Sequence, residues 1–365
     1  MGQADMAIPP ISDSNRLLVP MNATCSLITT CVLLSAGMPP ISQCFFSSYE
    51  LDLQKNRELS DPVLLIRQRA VKALCDYLHD HEHIAESINE GVISSLDKLL
   101  SDPDIPCRAY ATECFVVLCQ HELGRVAFLE NNILSSFFKL IKLTEVDIVR
   151  LNAHKAIELL STSPDGADQI VEHGYIPLLI DCARDEVVEI KLIVMDTLNR
   201  CLSANTSKGL DAHGVGLFTA LLGHENAEVR SRASQNILRL CVDPVGKQKV
   251  LEDETIPALI GILTGDSDKA MASAAGALAF ICTTTHGRYT ALNAGAIPYL
   301  LKLVDHSNSR VRVNALKVIT CLSETPEGRR ILLDHLDVIT PHEHDQNAAV
   351  AKHAKIAVSV ITWKP

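Results

Sequence analysis

The sequence predicts an all-α fold, a right-handed superhelical solenoid of helical repeats, on three observations. An arginine-led pattern starts seven times, at Arg67, Arg108, Arg150, Lys191, Arg230, Met271 and Arg312, with spacings of 41, 42, 41, 39, 41 and 41 residues. Three residues after each start stands a small or β-branched residue (Ala70, Ala111, Ala153, Val194, Ala233, Ala274, Ala315). Four further on stands a large apolar one (Leu74, Phe115, Ile157, Leu198, Ile237, Leu278, Ile319). Sixteen residues after the start, five of the seven units carry glycine: Gly124, Gly166, Gly246, Gly287 and Gly328. Self-similarity at a period of about forty residues marks helical units that bury their apolar faces only against one another. Such a chain is a binding surface, not a reaction vessel.

Composition agrees. At 365 residues the chain is longer than one hydrophobic core usually grows, and the regular period selects an array over several unrelated domains. Hydrophobic residues make up 47% of it but aromatic ones only 4%, which suits helices interlocked through Leu, Ile, Val and Ala. A net charge of −11 argues against nucleic acid, whose phosphates are met by clustered Lys and Arg. Of twelve cysteines, Cys119, Cys201, Cys241, Cys282 and Cys321 fall nine to eleven residues after their unit's start. They therefore follow the repeat and read as small buried hydrophobes in a reducing compartment, not as a disulfide framework.

The elements follow in order. Residues 1–48 are expected to be a disordered extension, with Pro9, Pro10, Pro39 and Pro40 as helix breakers. Its mildly apolar run, Cys25 to Ala36, lies behind Asp13, Pro20 and Asn22 and is shorter than the roughly 20 residues a membrane span needs, so no membrane is expected. Residues 49–344 carry about seven repeats, led by a helix over Tyr49 to Leu59. In the unit 124–163, Gly124 to Asn132 makes a short helix with Val126, Phe128 and Leu129 apolar. Ile133 to Leu143 makes a second, with Leu134, Phe137, Phe138 and Ile141 inward. Val146 to Ser161 makes the longest, with Ile148, Leu151, Ala153, Ile157 and Leu160 at helical spacing. The recurring glycine is expected where the chain needs positive φ or a close backbone approach. Pro177, Pro257 and Pro298 open second helices, since proline in a first turn loses no hydrogen bond. Residues 345–365 form a capping helix, with Ala354 and Val358 in the places of Ala315 and Ile319 and Trp363 closing the stack.

Catalysis finds no foothold. His79, His81 and His83, and His342 and His344, are the metal-like features, but imidazoles two apart do not share a helix face and no cysteine pair accompanies them. They read as solvated loop residues. No phosphate-binding loop, nucleophile elbow or paired-carboxylate motif is present, so neither cofactor nor small-molecule substrate is expected.

Three unequal helices and the Gly-x-Ile-Pro boundary, as in Gly174 to Pro177 and Gly295 to Pro298, resemble the armadillo repeat more than the two-helix HEAT unit. That resemblance implies a concave groove lined by the third helices, five and nine residues after each start. The pairs are Lys72 and Asp76, Glu113 and Val117, Lys155 and Leu159, Asp196 and Arg200, Gln235 and Arg239, Gly276 and Phe280, Lys317 and Cys321. Armadillo nuclear-import carriers place Trp and Asn there to clamp basic peptides, and none of these fourteen residues is Trp or Asn. Lys155, Arg200 and Arg239 suit an acidic or extended peptide, or are ordinary solvated faces. Phe280 beside Gly276 offers an apolar pocket or packs between repeats.

Particular blocks, Arg67 to Asp76, Gly124 to Glu130, Ala274 to Leu278, Pro326 to Arg329 and Ile356 to Ile361 with Lys364-Pro365, are similar to the armadillo-repeat subunits of the radial spoke in motile cilia. The similarity runs from about Met38 onward and implies a non-enzymatic scaffold in the axoneme, partnered by other radial spoke and axonemal proteins. The alternative is a free cytoplasmic adaptor that reads linear peptides in the groove. Its binding would be salt-sensitive and weakened by Arg200→Glu and Arg239→Glu.

Overall fold

Each long helix packs on the long helix one repeat away, and this stack is the spine of the repeat array. The computed structural model describes residues 56–142 and 144–364; the expected extension over residues 1–48, most of the leading helix and Leu143 lie outside the described residues. The spine begins at α1 (Leu64–Leu78) and continues through α2 (Glu82–Asn89), α3 (Val92–Leu99) and α4 (Ile105–Cys119). The order short, short, long then repeats as α5 (Glu122–Glu130), α6 (Leu134–Leu140), α7 (Asp147–Leu160), and as α8 (Pro164–Glu172), α9 (Tyr175–Asp185), α10 (Val188–Ala204). It recurs as α11 (Thr206–Asp211), α12 (Gly214–Leu221), α13 (Ala227–Leu240), then α14 (Pro244–Glu252), α15 (Thr255–Ile262), α16 (Asp268–Ile281). After α17 (Thr285–Asn293), α18 (Ile297–Leu303) and α19 (Ser309–Leu322) comes the last unit: α20 (Pro326–Leu333), α21 (Leu336–Ile339), a 3-10 turn (Thr340–His344) and α22 (Ala348–Ile361). Among the described residues there is no strand, and no helix is long and apolar enough to cross a membrane.

Local chemistry sets these boundaries. Five of the eight long helices among the described residues open on side-chain caps: Asp104, Asn226, Ser267, Asn308 and Asn347 each accept a backbone N–H from the first turn. Pro177, Pro257 and Pro298 all fall in first turns, as expected. The two roles offered for glycine are divided between two positions. The glycine sixteen residues after the start lies inside the first turn of the short first helix and meets the preceding long helix: a Cβ on Gly124 would sit 2.0 Å from the Leu118 carbonyl oxygen, and one on Gly246 1.9 Å from that of Leu240. Positive φ belongs to the residue just before or at the start of the second helix, namely Gly91, Asn132, Gly174, His213, Glu254 and Gly295. The unit of Lys191 lacks the first glycine for a visible reason. There α10 runs on to Ala204, Asn205 serves both as its end and as the cap of a six-residue α11, and the sharp corner is gone.

The arginines that lead the pattern turn out to be latches. Arg67, Arg108, Arg230 and Arg312 donate through Nη1 to two carbonyls five and six residues earlier, closing the loop before their own helix. Three of these, and Arg150, also reach an acid just before the next unit's long helix: Arg67 to Asp102 at 2.8 Å, Arg108 to Glu145 at 2.8 Å, Arg150 to Glu186 at 2.7 Å and Arg312 to Asp345 at 3.0 Å. Each latch is a charge-assisted fork. Lys191 takes only the carbonyl of Arg184, at 2.7 Å.

Within the core, Phe115 of one unit meets Phe128 and Phe137 of the next edge-on, with centroids 5.4 and 5.3 Å apart. The nine described cysteines are free, and all but Cys321 are fully buried. Several inward assignments shift. Val126 and Ile148 are exposed and Val149 takes the buried place, because helical spacing defines a stripe but not which of its edges a neighbour covers. Trp363 does not close the stack; it is exposed, with the Arg329 guanidinium 5.4 Å from its ring, because the chain has already left α22. Val358 is only half-buried.

His154 sits in this core on α7 with its Nε2 unpartnered among the described residues. Burial holds its pKa down at about 4, with Arg150 adding to the effect against a backbone hydrogen bond at Ile141. The unfolded chain binds this proton below about 6.5 while the folded chain refuses it until about 4, so stability falls on acidification through that window. Urea unfolding is expected to show a loss of about 3 kcal/mol between those limits, most of it absent in His154→Leu. His353, lowered by burial and by Lys317 and Lys352, accounts for part of the remainder.

Candidate peptide groove on the long helices

Side-by-side stacking aligns equivalent positions of the long helices, so residues two, five, eight and nine after each start share one face. The expected groove positions lie on that face, but they are not equivalent. Lys72 and Asp76 are exposed at its beginning, Glu113 is half-buried, and Val117 is buried and lost to the surface. In the middle, the charges at the expected groove positions are largely met by neighbouring charges of opposite sign. Arg200 Nη1 lies 2.6 Å from Glu158 Oε1, Arg232 Nε lies 2.9 Å from Asp196 Oδ1, and Lys155 Nζ approaches Glu189 at 4.0 Å. The cause is register: Glu158, eight after its start, stands beside Arg200, nine after its own. Gln235 turns back on its own helix, donating to the Ser231 carbonyl at 3.2 Å.

Further along, the face opens into two adjoining cavities. The first, about 270 Å³, is lined by Asn199, Gln235, Leu238, Arg239, Lys269, Ala272, Ser273 and Arg310. Three cations border it and no carboxylate does. Arg239 is exposed and held only by a 3.5 Å contact from its Nε to Asn199 Oδ1. The second cavity, about 470 Å³, shares Leu238 and continues over Gly276, Ala279, Phe280, Thr283, Asn314, Lys317, Thr320, Cys321, His353 and Ile356. Gly276 forms its floor: a Cβ there would stand 3.2 Å from both Asn314 Nδ2 and Leu238 Cδ1, so any side chain would begin to fill the space. Phe280 is 40% exposed and lines this cavity.

The structure thus brings Gln235, Arg239, Phe280 and Lys317 together, leaves Lys72, Asp76 and Glu113 at a distance along the array, and ties Lys155, Asp196 and Arg200 into ion pairs. Sequence reasoning missed Leu238, Lys269, Arg310, Asn314 and Ile356. A signal existed: two residues before each start the side chain changes from Glu189 and Glu228 to Lys269 and Arg310. The histidine groups hold no metal arrangement; His83 stacks on Tyr77 at 3.8 Å and His342 lies 2.9 Å from Asp305, and no cluster of three metal-binding side chains occurs among the described residues. They are, however, not all in loops, for His83 is in α2 and His342 and His344 are in the 3-10 turn.

Comparison with known proteins agrees with this architecture. The family model of the plant U-box protein ARM repeat region matches residues 170–342. Human armadillo repeat-containing protein 3 is 25% identical over 219 residues, which is 57% of this chain and 24% of that protein. The chain spans about a quarter of that relative's length. An engineered protein of known structure superposes with a TM-score of 0.76 at 19% identity, covering 85% of this chain and 78% of the other. A designed armadillo repeat protein in complex with the peptide (KR)4 gives 0.52 at 19% identity, covering 68% and 98%. At these identities the structural likeness establishes the fold alone.

Proposed function

Because the chain is an armadillo-repeat protein, we propose that it acts as a protein-binding scaffold that holds its partners in fixed relation, and specifically as a structural subunit of the radial spoke in motile cilia and flagella. The observation that carries the scaffold reading is the unbroken stack of long helices from α1 to α22, cross-latched by Arg67, Arg108, Arg150 and Arg312. An array whose neighbours are joined by forked ion pairs presents surfaces at constant spacing. The spoke assignment rests on the sequence blocks around Arg67 to Asp76, Gly124 to Glu130 and Ile356 to Ile361, which are similar to the radial spoke head 14 homologue. Its partners are then other spoke and axonemal proteins, and its place is the axoneme.

Exposed apolar residues at the leading edges of several long helices, including Val63, Leu65, Ile105, Ile148 and Val187, support a role with extensive protein contacts outside the groove. The deciding measurement is an immunoblot of purified motile axonemes after detergent and graded salt extraction. Retention with the spokes through high salt is the expected result. Release into the soluble fraction would remove the spoke assignment and leave a cytoplasmic adaptor.

A further inference from the structure

The paired cavities on α10, α13, α16, α19 and α22 carry a second, independent assignment. We propose that they form a composite site for an extended acidic peptide, in which Arg239, Lys269 and Arg310 bind a carboxylate side chain and the adjoining cavity over Gly276 receives a bulky apolar side chain. This goes beyond the scaffold reading and does not depend on the spoke assignment. Its basis is complementarity. In a chain of net charge −11, three cations gather at one cavity whose lining has no carboxylate, and none of them is held in an ion pair among the described residues. Upstream, the equivalent basic groove residues are neutralised by Glu158 and Glu189. The change from Glu228 to Lys269 two residues before the start is what leaves this part of the face open to an outside acid.

Asn199 adds to the wall. Its Nδ2 is shielded from solvent and has no hydrogen-bond partner among the described residues, a state that an acceptor brought by a ligand relieves. The neighbouring cavity is walled by Leu238, Ala279, Phe280 and Ile356. Lys317 at its border repels basic side chains and favours acidic flanks. Successive helices in a stack lie about 8–10 Å apart, and an extended chain advances about 3.3 Å per residue, so the two anchors fall about three residues apart. A peptide crossing the helices this way is bound by charge at one step and by burial at the next.

The test is fluorescence anisotropy with the full chain and a fluorescein-labelled peptide of Gly and Ser bearing two adjacent glutamates and one leucine three residues beyond. Binding is expected, weakening with salt. It should fall about fivefold or more when glutamine replaces glutamate, and similarly when alanine replaces leucine. Arg239→Glu with Arg310→Glu should weaken it about tenfold or more, and Phe280→Ala about fivefold, with circular dichroism confirming that each variant is folded. An all-basic Lys–Arg peptide should not bind. The assignment is overturned if the acidic peptide binds no better than its glutamine form, if only charge and not leucine matters, or if the double reversal has no effect. It is equally overturned if sedimentation shows a dimer of the full chain that the double reversal abolishes, for the occupant would then be a second copy.

Discussion

Arg150→Leu is expected to destabilise the array by about 3–5 kcal/mol, the range for breaking a buried ion pair from one side. Arg150 and Glu186 have 8% and 0% of their side chains exposed, with Nε to Oε1 at 2.7 Å and Nη2 to Oε2 at 3.1 Å. The same guanidinium donates to the Glu145 carbonyl at 2.5 Å, so its removal frees a loop carbonyl as well as stranding a carboxylate in the core. Burial is what makes the loss large, because a carboxylate in that place has neither counter-ion nor water. Replacing both partners by leucine is expected to recover most of the stability, since desolvation and attraction nearly cancel in such pairs. Arg184→Ala, at an exposed pair with Asp181, is the control, with an expected change within about 0.5 kcal/mol. Urea midpoints and slopes for the three variants decide the matter, and equal costs at the buried and exposed pairs would refute the latch.

Gly166→Ala is expected to cost about 3 kcal/mol or more, although alanine is the better helix former. A Cβ at this position would stand 2.0 Å from the Leu160 carbonyl oxygen and 2.8 Å from Ser163 Oγ. Ser163 is the cap of α8, accepting from the Gly166 N–H at 3.2 Å, so the residue that collides is also the one that starts the helix. Backbone cannot step aside as a flexible side chain would. The corner between α7 and α8 must open, and with it the seat of Ile170 in the core. Gly261→Ala provides the opposite sign: nothing lies within 4 Å of its would-be Cβ in α15, and a gain of about 0.5–1 kcal/mol is expected from propensity alone. Thermal and urea unfolding of both variants test the pair. A stable Gly166→Ala would mean that the recurring glycine answers to something other than close approach.

The array was legible because its signals are local. A forty-residue period, proline in first turns, and small and large apolar residues three and seven after each start are consequences of one helix packing on its copy, and any such packing writes itself into the spacing. The groove was only partly legible. Positions five and nine can be marked from the period, yet whether Arg200 or Arg239 is available to a ligand depends on what the neighbouring helix brings beside it. Glu158 stands next to Arg200, while only Asn199 stands next to Arg239. Nothing in the spacing of one helix announces that difference.

By itself, then, the sequence determined the helical class and the order short, short, long, because these follow from periodicity and from the backbone demands of Gly and Pro. The tertiary structure alone decided which acid Arg67, Arg108, Arg150 and Arg312 meet, and where the face opens into a cationic cavity beside an apolar one. The reason is that these properties belong to pairs of residues 33 to 42 positions apart, as with Arg312 and Asp345 or Arg200 and Glu158, and a pair acquires its chemistry only when stacking sets the distance between its members.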